Sequence, residues 1–233
     1  MKWTSDISSI FFDFDGLLVN TEALHFAAYQ QMLRQNGVNL SWSFDHFISL
    51  AHKSAQGLRL YLKAKAPQLF QTKPWSILYG EKKTTYLTLL NTEEVKWMPG
   101  AEEMLETVRE AELVHGVVTN ATQKEIELIR QKIPRLREVS YWITREDYKE
   151  PKPAPDGYLK ALEMIKKGKR AIGFEDTLKG VYALEKAGIT PILICSPTHP
   201  QMKDISNPRF LYHSPSLTAF LNDPFTSFPE SSL

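Results

Sequence analysis

Asp13 and Asp15 stand one residue apart at the end of a run of large apolar side chains, IFFDFDG at residues 10–16. Side chains alternate along an extended segment, so the two carboxylates point the same way. Gly16 permits a sharp exit behind them. Two carboxylates facing one crevice repel. They call for a cation, a shared proton, or a substrate that uses one as nucleophile and the other as acid. The plainer alternative is a solvated strand end closed by a turn-forming Asp-Gly pair. Three later segments carry chemistry of their own. VVTNA presents Thr119 and Asn120, GFEDT presents Glu175 and Asp176, and EPKPAPDGY presents Lys152 between two stiffening prolines. Each has a plain alternative: Thr119, Asn120 and Asp176 suit helix N-caps, and Lys152 suits a solvated surface. Together, two acidic clusters, a hydroxyl/amide pair and a lysine suit a phosphoryl group and a divalent cation.

These residues can meet only if the elements carrying them line up. Short apolar runs predict strands at residues 10–14, 113–119, 138–144, 169–175, 190–195 and 209–213. Helical patterns fall between them at 101–111, 122–133, 155–167 and 177–188, with Pro99–Gly100 before the first and Gly188 closing the last. Strands alternating with helices predict an α/β fold whose parallel sheet is covered on both faces. Ligands of such sheets bind outside the carboxyl ends of the strands, which is where the residues above fall. Residues 21–95 break the alternation. They show helical periodicity alone: one helix closed by Gly37, two meeting near residues 52–54, and another at 74–91. This insert of roughly 75 residues is the size of a small domain. The Pro/Ser-rich tail at 223–233 predicts poor order.

Bulk properties narrow the class. The 233 residues carry a net charge of +1, so no global field points to nucleic acid or an acidic membrane surface. A single cysteine, Cys195, excludes an internal disulfide and a cysteine zinc site, and its apolar strand suits a buried filler. The first residues lack a signal-peptide pattern, and no apolar run reaches membrane-spanning length. A cytoplasmic protein, acting as a monomer without nucleic-acid or membrane partners, is expected.

The four segments in order resemble the motifs of the haloacid dehalogenase superfamily: DFDGLLVNTE the first, VVTN the second, KPAPD the third and GFEDT the fourth. MPGAEEML and KGVYALEKAG resemble framework segments of its beta-phosphoglucomutase-like and phosphoglycolate-phosphatase-like subgroup. The likeness spans residues 8 to 195. It implies a Rossmann-like catalytic core at 1–20 and 96–222 and an all-helical cap at 21–95. It also implies a Mg²⁺-dependent phosphohydrolase acting on a small phosphomonoester, such as a sugar phosphate. Phosphomutase and non-catalytic phosphate-binding protein are the alternatives. By the same resemblance, Asp13 is the nucleophile that becomes an aspartyl-phosphate, and Asp15 is the general acid and then base. Asp13, the Asp15 backbone carbonyl and Asp176 hold Mg²⁺, Glu175 ligates it directly or through water, and Thr119, Asn120 and Lys152 bind the phosphoryl oxygens. Dehalogenating members generally lack the acid corresponding to Asp15 and the metal-binding pair, so the resemblance favours phosphoryl transfer.

Substrate selection is expected from the cap, with Thr21, His25, His52, Lys53 and Arg59 as polar candidates. Thr21 and His25 are four apart and share a helix face. Their counterparts in mutases position the acid and the sugar, whereas a plain interdomain histidine is the alternative for His25. The specificity-loop position, ISLAHKSAQGL, departs from the family pattern: Leu50–Ala51 replace the usual glycine and His52–Lys53–Ser54 the arginine–acid pair. Lys53 also falls near a Schiff-base lysine of phosphonate-cleaving relatives, with a phosphate or carboxylate contact as its alternative.

Overall fold

The computed structural model describes residues 7–53, 55–165, 170–205 and 212–224. Six strands form one parallel sheet: β1 (Ile7–Phe12), β2 (Val114–Val118), β3 (Tyr141–Ile143), β4 (Arg170–Glu175), β5 (Thr190–Ile194) and β6 (Tyr212–Ser214), in the order β3-β2-β1-β4-β5-β6. The chain builds outward from β1 on one side, then returns to pair β4 on the other. That reversal beside β1 opens a crevice at the carboxyl ends of the strands.

Burial on both faces explains the apolar run of β1. Ile10 and Phe12 enter one layer with Val117, Ile172 and Phe174, whereas Phe11 enters the other with Val118, Tyr158 and Leu184. Helices α6 (Ala101–Glu110), α7 (Gln123–Lys132), α8 (Asp156–Glu163), α9 (Leu178–Lys186) and α10 (Leu217–Asn222) accompany the sheet. Thr122 and Glu125 form a reciprocal capping box at the start of α7, and Thr177 caps α9 through Gly180 N–H.

Five helices lie between β1 and α6 in the chain. They are α1 (Glu22–Gln35), α2 (Phe44–Lys53), α3 (Ala55–Lys65), α4 (Pro67–Thr72) and α5 (Trp75–Thr92). They enclose their own apolar centre of Met32, Leu33, Trp42, Phe47, Leu62 and Leu78. Tyr86 and Leu90 at the other end of α5 join the core beneath the sheet instead. The outgoing and returning connections touch: Asn20 N–H donates to Lys96 O at 2.9 Å, Met98 N–H donates to Leu18 O at 2.8 Å, and Val19 bridges Trp97.

The differences from expectation have local causes. β3 is only three residues, because Pro134 starts a 3₁₀ turn through Glu138 and Val139 is buried as loop. α4 has too few residues to show a period, and Pro67 at its first turn was its one start signal. Residues 169, 209–211 and 225–233, on which parts of two expected strands and most of the expected disordered tail fall, lie outside the described residues.

Candidate active site

Asp13 follows β1 directly, and its N–H still bonds Phe174 O at 3.0 Å, so the carboxylate leaves the sheet at a fixed point. Lys152 reaches it from the loop before α8. Its ammonium lies 2.5 Å from Asp13 Oδ1, 2.6 Å from Glu175 Oε1 and 2.7 Å from Val118 O, above the Tyr158 ring. Tyr158 donates its hydroxyl to Glu175 Oε1 at 2.5 Å. Asp13, Glu175 and Asp176 are buried, with carboxylate oxygens within 4.8 Å of one another. Glu175 Oε2 has no hydrogen-bond partner. The backbone makes room for this cluster. Gly16, at φ 83°, lies against the Asp176 carboxylate, and Gly180 of α9 lies against the Glu175 carboxylate. A Cβ at either position would collide with an acid.

Asp15 is clamped from the cap side: Thr21, fully buried, donates its hydroxyl to Asp15 Oδ1 at 2.5 Å. The Thr119 hydroxyl is 3.5 Å from the other oxygen and accepts Ala121 N–H at 2.9 Å. The Tyr148 hydroxyl is 2.8 Å from Thr119 O and 2.6 Å from Asn120 Oδ1, which fixes the loop after β2.

Burial dominates the electrostatics. It raises Asp15 to about 7 despite the Thr21 hydrogen bond, with Asp13 adding repulsion. Burial and then Asp13 also raise Glu175 and Asp176. Burial works against the Lys152 charge, yet Asp13 and Glu175 hold its pKa well above the usual lysine value. The cluster is therefore short of positive charge.

A cavity of about 450 Å³ connects these residues to the cap. Its walls include Asp13, Asp15, Thr119, Asn120, Lys152 and Asp176 from the core and His25, His52, Lys82, Trp75 and Tyr79 from the cap. The expected site residues part company here. His25 stacks on Tyr86 with ring centres 3.9 Å apart, and its Nδ1 accepts from Lys82 at 2.6 Å. His52 pairs with Glu22. Thr21 acts through Asp15 and does not line the cavity. Lys53 is exposed and 3.3 Å from Asp204, away from the cavity wall, and Arg59 is exposed. Ser54 lies outside the described residues.

Residues 10–194 match the family model of the haloacid dehalogenase-like hydrolases. The chain belongs to that family. It is 24% identical over 198 residues to (DL)-glycerol-3-phosphatase 2 of Arabidopsis thaliana, covering 82% of this chain and 80% of that one. It is 27% identical over 190 residues to the phosphorylated carbohydrates phosphatase of Thermotoga maritima, covering 80% and 84%. Among solved structures, CbbY of Rhodobacter sphaeroides in complex with phosphate superposes with a TM-score of 0.66 at 25% identity, covering 81% of this chain and 86% of that one.

For a haloacid dehalogenase-like hydrolase, the fit of a divalent metal is testable on the donor set. Of three buried carboxylates, two share one lysine, the third has no lysine paired to it among the described residues, and one oxygen of Glu175 is orphaned. Hard oxygen donors with excess negative charge fit such an ion. The hydrolase also holds residues that the sequence reading missed. Tyr158 supports Glu175 from α8. Lys82 of α5 is 3% exposed, with its ammonium above the Tyr29 and Tyr86 rings and its pKa lowered to about 7 by burial. Its spacing from Leu78, Tyr86 and Leu90 was the available signal, because all four share the buried face of α5.

Proposed function

We propose that this hydrolase cleaves a small phosphomonoester, with Mg²⁺ as its metal and Asp13 as the group transiently phosphorylated. The observation that carries the reading is the contact of Lys152 with Asp13 and Glu175, inside a cluster that also holds Asp176 and opens to Asp15 and Thr119. Asp13, Glu175 and Asp176, with the Asp15 carbonyl, would hold Mg²⁺. When bound, it offsets the negative charge between carboxylate and phosphate and stabilises charge in the transition state.

The remaining work falls to the chain. The Asp13 carboxylate attacks phosphorus and forms the acyl phosphate as the ester P–O bond breaks. Asp15, whose carboxyl is raised to about 7, is available to protonate the leaving alkoxide. The resulting Asp15 carboxylate then takes a proton from water as that oxygen attacks phosphorus. Orthophosphate leaves and Asp13 is regenerated. Lys152 and the Thr119 hydroxyl bind phosphoryl oxygens, and Asn120 borders them. Thr21 orients Asp15 throughout. His25 and Lys82 supply polar contacts for the leaving group. Such contacts, with a glycerol-3-phosphatase and a phosphorylated-carbohydrate phosphatase among the relatives, support a polyol or sugar phosphate.

The test is phosphate release from a panel of sugar, polyol and nucleoside phosphates with Mg²⁺. Wild type is expected to turn over at least one, and Asp13→Asn none. Retained turnover in Asp13→Asn would refute the nucleophile. Silence across the panel from folded protein would leave a phosphate-binding role, and isomer formation in place of release would make the protein a mutase.

A further inference from the structure

A second group of metal donors lies where the cap meets the core. Glu22 begins α1, His52 ends in the last turn of α2, and Asp176 follows β4. One donor atom from each lies within 4.8 Å of the others. Glu22 and His52 Nε2 are already paired. The His52 side chain is only 9% exposed, yet its Nδ1 has no hydrogen-bond partner. The His199 ring stacks on it with centres 5.0 Å apart, and His199 Nε2 is likewise buried without a partner. His52 thus meets Glu22 through one ring nitrogen and keeps the other unused, and the ring stacked on it also carries a partnerless nitrogen.

We propose that Glu22, His52 and Asp176 form a second divalent-metal site, selective for a transition ion such as Zn²⁺, that pins the cap to the core. Composition sets the selectivity. The catalytic trio offers oxygen alone, which suits Mg²⁺, whereas an imidazole with two carboxylates suits Zn²⁺. Zinc donors sit about 2.0–2.2 Å from the ion, so Asp176 would draw in while Glu22 and His52, already in direct contact, part to admit it. Topology sets the consequence. Two donors belong to the cap and one to the core, so one bound ion ties the two together. Neighbouring contacts already follow this seam: Lys179 Nζ donates to Ala51 O at 3.3 Å, and Lys53 pairs with Asp204. The Lys179 charge opposes a cation, but it acts on Asp176 and its ammonium is held by Ala51 O. All three donors line the substrate cavity of about 450 Å³, and His52 also borders a second cavity of about 280 Å³ together with His199. Asp176 is common to both trios, and its two carboxylate oxygens let it bridge two ions, so the second site can fill while Mg²⁺ holds the first.

The experiment is calorimetric titration of Zn²⁺ into the full-length protein at saturating Mg²⁺, paired with thermal unfolding. Wild type should bind one Zn²⁺ and melt higher with it. In His52→Ala and in the better-packed His52→Gln, Zn²⁺ affinity should fall tenfold or more and the added thermal shift should vanish. Glu22→Gln should weaken Zn²⁺ in the same way, with Mg²⁺ affinity kept. Cys195→Ser serves as the control and should bind Zn²⁺ as wild type does. No Zn²⁺ binding in Mg²⁺, unchanged binding in the folded His52 variants, or binding lost in Cys195→Ser would each overturn the proposal. These readouts need no substrate, so they stand apart from the proposed activity.

Discussion

Replacing Lys82 with methionine should make the protein more stable and less active. The residue is 3% exposed, and the hydrogen bond of its ammonium goes to a neutral ring nitrogen rather than to a carboxylate. Burial lowers its pKa from 10.5 to about 7. Between those values the unfolded chain binds a proton that the folded chain has released, so stability rises with pH across that window. Below pH 7 both states are protonated and the full penalty applies, on the order of 4–5 kcal/mol at about 1.4 kcal/mol per pKa unit. Contacts with Tyr29 and Tyr86 offset part of it, and methionine keeps the apolar stem. A net gain of about 1–4 kcal/mol at pH 7 is the expectation, or a rise of several degrees in Tm for a chain of this size. Urea unfolding of wild type and Lys82→Met from pH 6 to pH 10 reads the difference directly. The advantage of methionine should shrink as pH climbs from 7 towards 10, while titrations remote from Lys82 cancel between variants. Activity should fall tenfold or more, because the cavity loses its buried cation. A less stable Lys82→Met, or a gap that does not change with pH, would refute this account of the buried charge.

Lys152→Ala should abolish turnover and destabilise the metal-free protein by about 3–5 kcal/mol, because Asp13 and Glu175 are left buried without their cation; calorimetry in chelator measures this. Divalent metal should stabilise the folded chain, by about 2.7 kcal/mol at a hundredfold excess over Kd, and chelation should reverse the shift in Tm. Gly180→Ala should cost about 1–3 kcal/mol and weaken metal binding, since the new methyl meets the Glu175 carboxylate; unfolding and metal titration check both effects. Tyr158→Phe should keep the fold but leave Glu175 short of a hydrogen bond, costing about 1–2 kcal/mol, read by urea midpoint.

The core was legible because its chemistry sits at strand ends, where an apolar run gives way to polar residues in a few positions. Asp13, Glu175 and Asp176 follow such runs and do converge. The Lys152 loop was legible from its prolines, although its contact with Glu175 was not, because that depends on how α8 and β4 meet in space. The cap was harder to read. Its helices show periodicity, but a lysine on a helix says nothing by itself about burial. Lys82 and Lys83 are adjacent and chemically identical, and only the packing of α1 against α5 separates them. Lys53 illustrates the converse: its position suggested the substrate cavity, yet the last turn of α2 directs it towards Asp204.

The paired connections at residues 18–20 and 96–98 bear on how the helical lobe is held. A lone tether would let the helical lobe swivel and twist freely. Two tethers laced by backbone hydrogen bonds behave like a door on a pin, with one easy direction of swing and stiff resistance to the rest. Thr21, one residue beyond the lacing, ties this junction to the carboxyl group of Asp15.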